Sequence, residues 1–312
     1  MSTENSSIYH LPALVEQVVG NLILKPTGVY LDLTVGGGGH AQAIAEALDA
    51  SACLYGVDRD PAAIDFATGR LASFPQFRSI NQSKFSDILA TVENFEHATF
   101  DGILLDIGLS SRQIDDASRG FAFGQDGPLD MRMDPHLPLS AADLINSYGK
   151  HDLAAIIRDF GEERQAARLA GAIVKERHSR MIRTTSQLVD VISQVIPGRY
   201  RTKSLARVFQ AFRIAVNREL DELRSVLPAA QSLLNPQGRL AVISYHSLED
   251  RIVKRYFQKV SRPDPMSGYD PKAEIPAPPM KVITRRPIRP EPDEVRANPR
   301  ARSARLRVVE KV

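Results

Sequence analysis

The chain has 312 residues, 43% of them apolar and 25% charged, with one cysteine, Cys53, and a formal net charge of +3. That length suits two domains, and a single cysteine excludes an internal disulfide and a cysteine-built zinc site. No stretch approaches the ~20 apolar residues of a membrane span, and the first ten residues lack the basic-then-apolar order of a signal peptide, so a soluble, cytoplasmic protein with no membrane partner is expected.

Leu14, Val18 and Leu22 recur at intervals of four and predict a short helix over 14–24, closed by the turn chemistry of Lys25, Pro26, Thr27 and Gly28. The β-branched, apolar run 29–35 (VYLDLTV) predicts a strand. Four glycines, Gly36 to Gly39, lead into a helical run over 40–48. Residues 53–57 predict a second strand closed by Asp58, and Asp60 with Pro61 can cap and begin the next helix. Residues 100–107 predict a further strand, whose consecutive Ile103, Leu104 and Leu105 suit cover on both faces. Strand alternating with helix is the pattern of an α/β fold on a parallel sheet.

Residues 115–138 are rich in Gly, Asp and Pro yet carry Phe121, Phe123, Leu129, Met131 and Met133, so they predict an ordered loop at a site. Apolar faces over 141–146, 153–160, 166–177 and 185–196 predict a small helical domain inserted into the α/β domain. A long helix over 203–227 then re-enters the main domain. A turn at 235–238 (NPQG) precedes a strand at 240–244, and the proline-rich 263–303 reads as extended, with closing strands at 281–284 and 306–309. These elements divide the chain into an α/β domain, 1–110 with 216–312, and an inserted 111–215. Charge is unevenly spread: residues 251–312 hold 16 Lys and Arg against 7 Asp and Glu, a tail suited to a phosphate backbone or to a solvated surface. Aromatic residues are 6% with no tryptophan, so composition does not signal a base-stacking platform.

Strand, glycine loop, helix and a later acidic residue is the logic of a nucleotide-cofactor site. Asp58 lies 22 residues beyond Gly36, where it can hydrogen-bond a ribose diol. The loop also satisfies GxGxxA, so a nicotinamide dinucleotide is a rival. S-adenosylmethionine is favoured by Asp32, a carboxylate before the glycines that can receive the methionine ammonium and would repel a pyrophosphate. Asp106, ending a later strand, offers another polar contact or a cap for the following turn. His40, Asp58 and His246 invite a metal reading, but they lie on different strand ends and no metal is expected.

Longer motifs carry a family resemblance. They are DLTVGGGGH at 32–40, DRDP at 58–61, GILLDIGLSS at 102–111, DGPLDMRMD at 126–134, GEER at 161–164, RVFQAFRIAVN at 207–217, SYHSLEDR at 244–251 and NPRARS at 298–303. In this order they resemble the RsmH/MraW family of bacterial methyltransferases, over almost the whole chain. The resemblance implies a class I S-adenosylmethionine-dependent (Rossmann-like) methyltransferase sheet with an inserted small all-helical domain for substrate recognition. It implies methylation of N4 of a cytidine in the decoding region, the P site, of 16S rRNA within the small (30S) subunit. It places the cofactor contacts on Gly38, Gly39, His40, Asp58, Phe85, Asp106 and Gln113, with Phe85 against the adenine. Tyr245 stands where the family often has Phe, Arg112 where it often has Pro, and 203–206 (KSLA) where many members have HPAT.

The Asp/Ser/Asn-Pro-Pro-aromatic motif of DNA amino-methyltransferases is absent here, so no motif identifies the group that accepts the amine proton. Asp130, Asp134 and His246 are the candidates, and His246 can instead order its loop. Arg132, Arg207, Arg213, Arg251, Arg300 and Arg302 are candidate phosphate contacts, or partners of Glu249, Asp250 or Asp134. Two readings from other classes stand beside the enzyme: a noncatalytic rRNA-binding assembly factor and an NAD-dependent oxidoreductase.

Overall fold

The computed structural model describes residues 12–263 and 277–312. Residues 1–11 and 264–276 lie outside the described residues, and with them part of the expected extended segment 263–303. No helix among the described residues is long and apolar enough to cross a membrane. The chain divides into two compact units, 1–108 with 220–312, and 109–219.

The first unit holds a seven-stranded sheet. Its strands are β1 (Val29–Asp32), β2 (Cys53–Asp58), β3 (Phe77–Gln82), β4 (Phe100–Asp106), β5 (Leu234–Ser244), β6 (Met280–Val282) and β7 (Arg305–Lys311). Their order is β3-β2-β1-β4-β5-β7-β6. The first five strands are parallel, and β7 runs antiparallel between β5 and β6. The consecutive apolar strands are covered on both faces. Ile103 and Leu105 enter one core with Leu31, Leu240 and Val242, while Leu104 enters a second with Tyr30, Ala241 and Ile243. Side-chain alternation along each strand sorts the residues between the two cores. Each such fully buried aliphatic side chain contributes about 1.5–3 kcal/mol relative to exposure.

The second unit is helical: Ala141–Ser147, Lys150–Asp159, Ala166–Ser179, Thr185–Val195 and Arg201–Asn217. Ser140 and Thr184 start two of these helices through reciprocal capping boxes with Asp143 and Gln187. The loop 115–138 is ordered within this unit. Phe121, Leu129, Met131 and Met133 are buried in the same core as Leu169, Ile173, Val208 and Phe212.

Three expectations need correction. The helix expected over 203–227 is two, Arg201–Asn217 and Glu219–Ser232, separated at Arg218, whose φ is 52°. Apolar periodicity continues across the break, because it records side-chain faces and not a left-handed backbone residue. The proline-rich 263–303, expected to be extended, holds the helix Pro292–Ala297, which a proline in its first turn begins. The tetrad 235–238 does not precede β5 but bulges within it, where the pairing to β4 shifts between Phe100 and Gly102. Strand β3 carries no sequence signal: FRSINQ has no apolar alternation and lies at the sheet edge, partly exposed.

Candidate active site

In an open parallel sheet, ligands bind beyond the carboxyl ends of the strands where the strand order reverses. Here that point lies between β1 and β4, and both strands end in a carboxylate, Asp32 and Asp106. Asp58 ends β2 beside them. The glycine loop connects β1 to the helix Gly39–Ala47, with Gly36 and Gly38 at φ 51° and 74°. A Cβ on Gly38 would press on Ala67, so the tight turn and the helix behind it both need glycine there.

Asp32 is 1% exposed; its Oδ1 accepts the Thr34 N–H at 2.9 Å, and its Oδ2 has no hydrogen-bond partner. Burial lifts its pKa to about 6, against the Thr34 hydrogen bond and the nearby His40. Thr34 Oγ1 accepts the Asp106 N–H at 2.6 Å and ties the two strand tips together. Asp106 Oδ1 is also buried without a hydrogen-bond partner, while Oδ2 lies 3.3 Å from His40 Nδ1. His40 is anchored on its other side, with Nε2 2.8 Å from the Ala13 carbonyl. Burial lowers the pKa of His40, but the Asp106 contact prevails and holds it above the ordinary value. Asp58 accepts the Gly36 N–H at 2.7 Å through Oδ2 and the Asp60 N–H at 2.9 Å through Oδ1, and burial raises its pKa. Phe85 belongs to the sheet core, 7% exposed, with the Arg59 guanidinium 5.3 Å from its ring centre.

The strand tips thus gather Asp32, His40, Asp58 and Asp106. Gln113 belongs to the helical unit, where it closes a capping box with Ser110 on the helix Ser111–Asp115. His246 follows β5 and caps the helix Ser247–Val260. Its Nδ1 accepts the Glu249 N–H at 3.4 Å and its Nε2 lies 3.0 Å from Glu249 Oε1. Both ring nitrogens therefore face Glu249.

Asp130 and Asp134 lie in the helical unit. Asp130 holds Arg132 with both oxygens, at 2.9 and 2.7 Å, and Arg132 also donates to the Leu137 carbonyl. Burial raises the Asp130 pKa, but the Arg132 hydrogen bonds outweigh it and bring the carboxyl below its usual range. Asp134 accepts the His136 N–H at 2.9 Å with Oδ1. Arg207 meets Glu163 at 3.4 Å, and Arg213 holds Glu219 through two bonds of 2.9 Å. Arg132, Arg207 and Arg213 are thereby tied inside their own unit, to acids the sequence did not pair them with. Arg251, Arg300 and Arg302 are exposed. Asp250 pairs with Arg305 and Arg307 instead of any of the six.

Some working residues escaped the sequence. Asn217 donates to the Met131 carbonyl and accepts the Met133 N–H, both at 2.8 Å, pinning the DGPLDMRMD loop. Thr34 is similar: it is a short polar side chain whose partner, the Asp106 N–H, lies 72 residues away, so no local pattern marks it. Tyr200 is 60% exposed with the Arg199 guanidinium 4.9 Å over its ring, an aromatic surface that bulk composition did not signal.

The sequence profile of the MraW methylase family matches residues 7–312. The chain is 46% identical to the ribosomal RNA small subunit methyltransferase H of Heliobacterium modesticaldum, over 97% of this chain and 99% of that one. It is 41% identical to the protein of the same name from Clostridioides difficile, with the same coverage. The Brevibacillus brevis protein of that name is 42% identical over 98% of this chain and 99% of its own.

Proposed function

The chain belongs to the MraW methylase family, and from that premise we propose that it methylates N4 of one cytidine in the decoding region, at the P site, of 16S rRNA. The coarser activity is that of the family: S-adenosylmethionine-dependent methylation of small-subunit ribosomal RNA. We further infer that it acts in the cytoplasm on the 30S subunit and not on free RNA.

The observation that carries the cofactor assignment is the pair of buried, unpartnered carboxylate oxygens, Asp32 Oδ2 and Asp106 Oδ1, at the strand-order reversal. Buried polar atoms normally find a partner, and an ammonium group supplies one of the right sign. Asp58 is poised to accept from ribose hydroxyls, with its present backbone donors holding the carboxylate in place. Gly38 and Gly39 admit close approach, His40 orients Asp106, and the resemblance adds Gln113 and places Phe85 against the adenine. The dinucleotide rival fits less well. Its usual sheet continues in parallel to a sixth strand, whereas here β7 is antiparallel and inserted between β5 and β6.

S-adenosylmethionine, when bound, supplies an electrophilic methyl group on a sulfonium. The chain must then make a weak nucleophile attack. The N4 lone pair of cytosine is delocalised into the ring, so holding the amine in line and polarising its N–H is the catalytic task. Asp134 is our assignment for the hydrogen-bond acceptor: both oxygens of Asp130 are taken by Arg132, and the His246 ring is engaged through Nδ1 in capping its own helix. The methylated amine then loses a proton readily, so a strong general base is not needed. The helical unit, with Tyr200 and its basic neighbours Arg199, Arg201 and Lys203 exposed, is the substrate-recognition module in this reading.

The test is methyl transfer from labelled S-adenosylmethionine to small subunits lacking the modification, naked 16S rRNA, large subunits and duplex DNA, with the product nucleoside identified by mass spectrometry. N4-methylcytidine confined to the small subunits is expected. Cofactor binding without transfer to any acceptor would instead favour the noncatalytic assembly factor.

A further inference from the structure

We propose that Arg285, Arg286 and Arg289 form a phosphate-binding rim that holds the RNA backbone at the carboxyl edge of the sheet. This rests on the ribosomal-RNA reading above and adds a contact surface within the α/β unit itself.

The register of the last strands places these residues. β7 runs antiparallel to β5, pairing Ser244 with Arg305 and Ile243 with Leu306. β6 pairs Val282 with Val309, after which the Ile283 N–H bonds the Val308 carbonyl. Ile288 then exchanges two bonds of 2.9 Å with Leu306. Residues 285–287 are therefore an excursion clamped at both ends against β7. Leu306 stands level with Ile243, and Ile243 with Asp106. The excursion thus leaves the sheet at the height of the strand-tip carboxylates, on the same edge. It is three strand spacings from β4, about 14 Å, a short span on the scale of a folded RNA.

The chemistry fits phosphate. Residues 281–302 carry seven Lys and Arg against three acids. Asp293 is paired with Arg296, and Glu294 accepts the Leu14 N–H, which leaves Glu291 as the one acid without such a tie among the described residues. Arg305 and Arg307 are held by Asp250 and hold the fold together. Arg285, Arg286 and Arg289 are exposed, and none has an ion-pair partner among the described residues. Pro287 and Pro290 restrict the backbone between and beside them, so less entropy is lost when the guanidinium groups are engaged. Arginine presents a planar fork suited to phosphate oxygens.

The test compares wild type with a variant carrying R285Q, R286Q and R289Q. Small-subunit affinity should fall about tenfold or more, and the slope of log affinity against log salt should become shallower by roughly 2 to 3, one step per lost phosphate contact. S-adenosylmethionine affinity and kcat at saturating subunits should be unchanged. The same drop is expected on protein-free 16S rRNA. Unchanged subunit affinity and salt slope would overturn the proposal, as would a drop on subunits with none on free RNA, which would place the arginines against ribosomal protein. Failure of the wild type to methylate small subunits would overturn the underlying reading instead.

Discussion

Asp32 is a carboxylate at odds with its surroundings. Burial raises its pKa to about 6, above the unfolded value of 3.8, so the fold favours the protonated form. By linkage this group stabilises the ligand-free chain at low pH, and that contribution is lost as pH rises through about 6. A bound ammonium needs the ionised form, so cofactor affinity should fall about tenfold per unit as pH drops below about 6. His40, shifted upward from 6.5, is already protonated in that window, whereas the upward shift of Asp58 acts with the same sign as Asp32. Calorimetric titration across pH 4.5–8 checks this, and Asp32→Asn should bind weakly with a flatter profile. A second contrast separates two acids in one motif. Asp134→Asn should lower kcat about 10²-fold with cofactor affinity intact. Asp130→Asn should mainly lower thermal stability, because it loosens the Arg132 clamp. Turnover and melting temperature of both variants decide between them.

At the scale of elements, HSLEDR is as much a joint as a motif. Glu249 and His246 cap the helix Ser247–Val260, and Asp250 ties that helix to β7 through Arg305 and Arg307, at 2.9 and 2.7 Å. Asp250→Ala should destabilise the chain by about 3–5 kcal/mol, since it strands a buried Arg307. Burial opposes ionisation of Asp250, but the two arginines prevail and depress its pKa, so this stabilisation is present at neutral pH and lost on acidification. Denaturant titrations should show the gap between wild type and variant intact from pH 7 down to about pH 4, closing only as pH falls further below the unfolded value of 3.8. The loop 115–138 illustrates what was legible and what was not. Its apolar residues marked it as ordered, but the clamp depends on Asn217, more than 80 residues away, and on Gly120 at φ 70°, where a Cβ would strike the Pro128 carbonyl. Neither dependence is periodic, so no local pattern records it.

Across the whole molecule, charge and ligand binding make separable predictions. In the proposed reading RNA meets exposed arginines, whose contacts salt screens, whereas the carboxylates Asp32 and Asp106 are shielded at the strand tips. Raising salt from 50 to 200 mM should increase KM for small subunits steeply and leave the cofactor Kd nearly unchanged. Saturation with S-adenosylmethionine at 100 times its Kd should add about 2.7 kcal/mol of stability, read as an upward shift in Tm.

By itself the sequence determined the alternation of strands and helices, the insertion, the glycine loop and the acids Asp32, Asp58 and Asp106. Each of these is written in local spacing: apolar runs, glycines beside a strand, an acid at a strand end. It also carried the family, because long motifs in a set order are specific where a glycine loop is not. Only the tertiary structure decided the partners. It assigned Arg132, Arg207 and Arg213 to internal acids, gave Asp250 to Arg305 and Arg307, turned His246 toward Glu249, and broke the helix at Arg218. Charge pairing and backbone handedness depend on which segments the fold brings together, and that choice is made by the cooperative packing of distant residues.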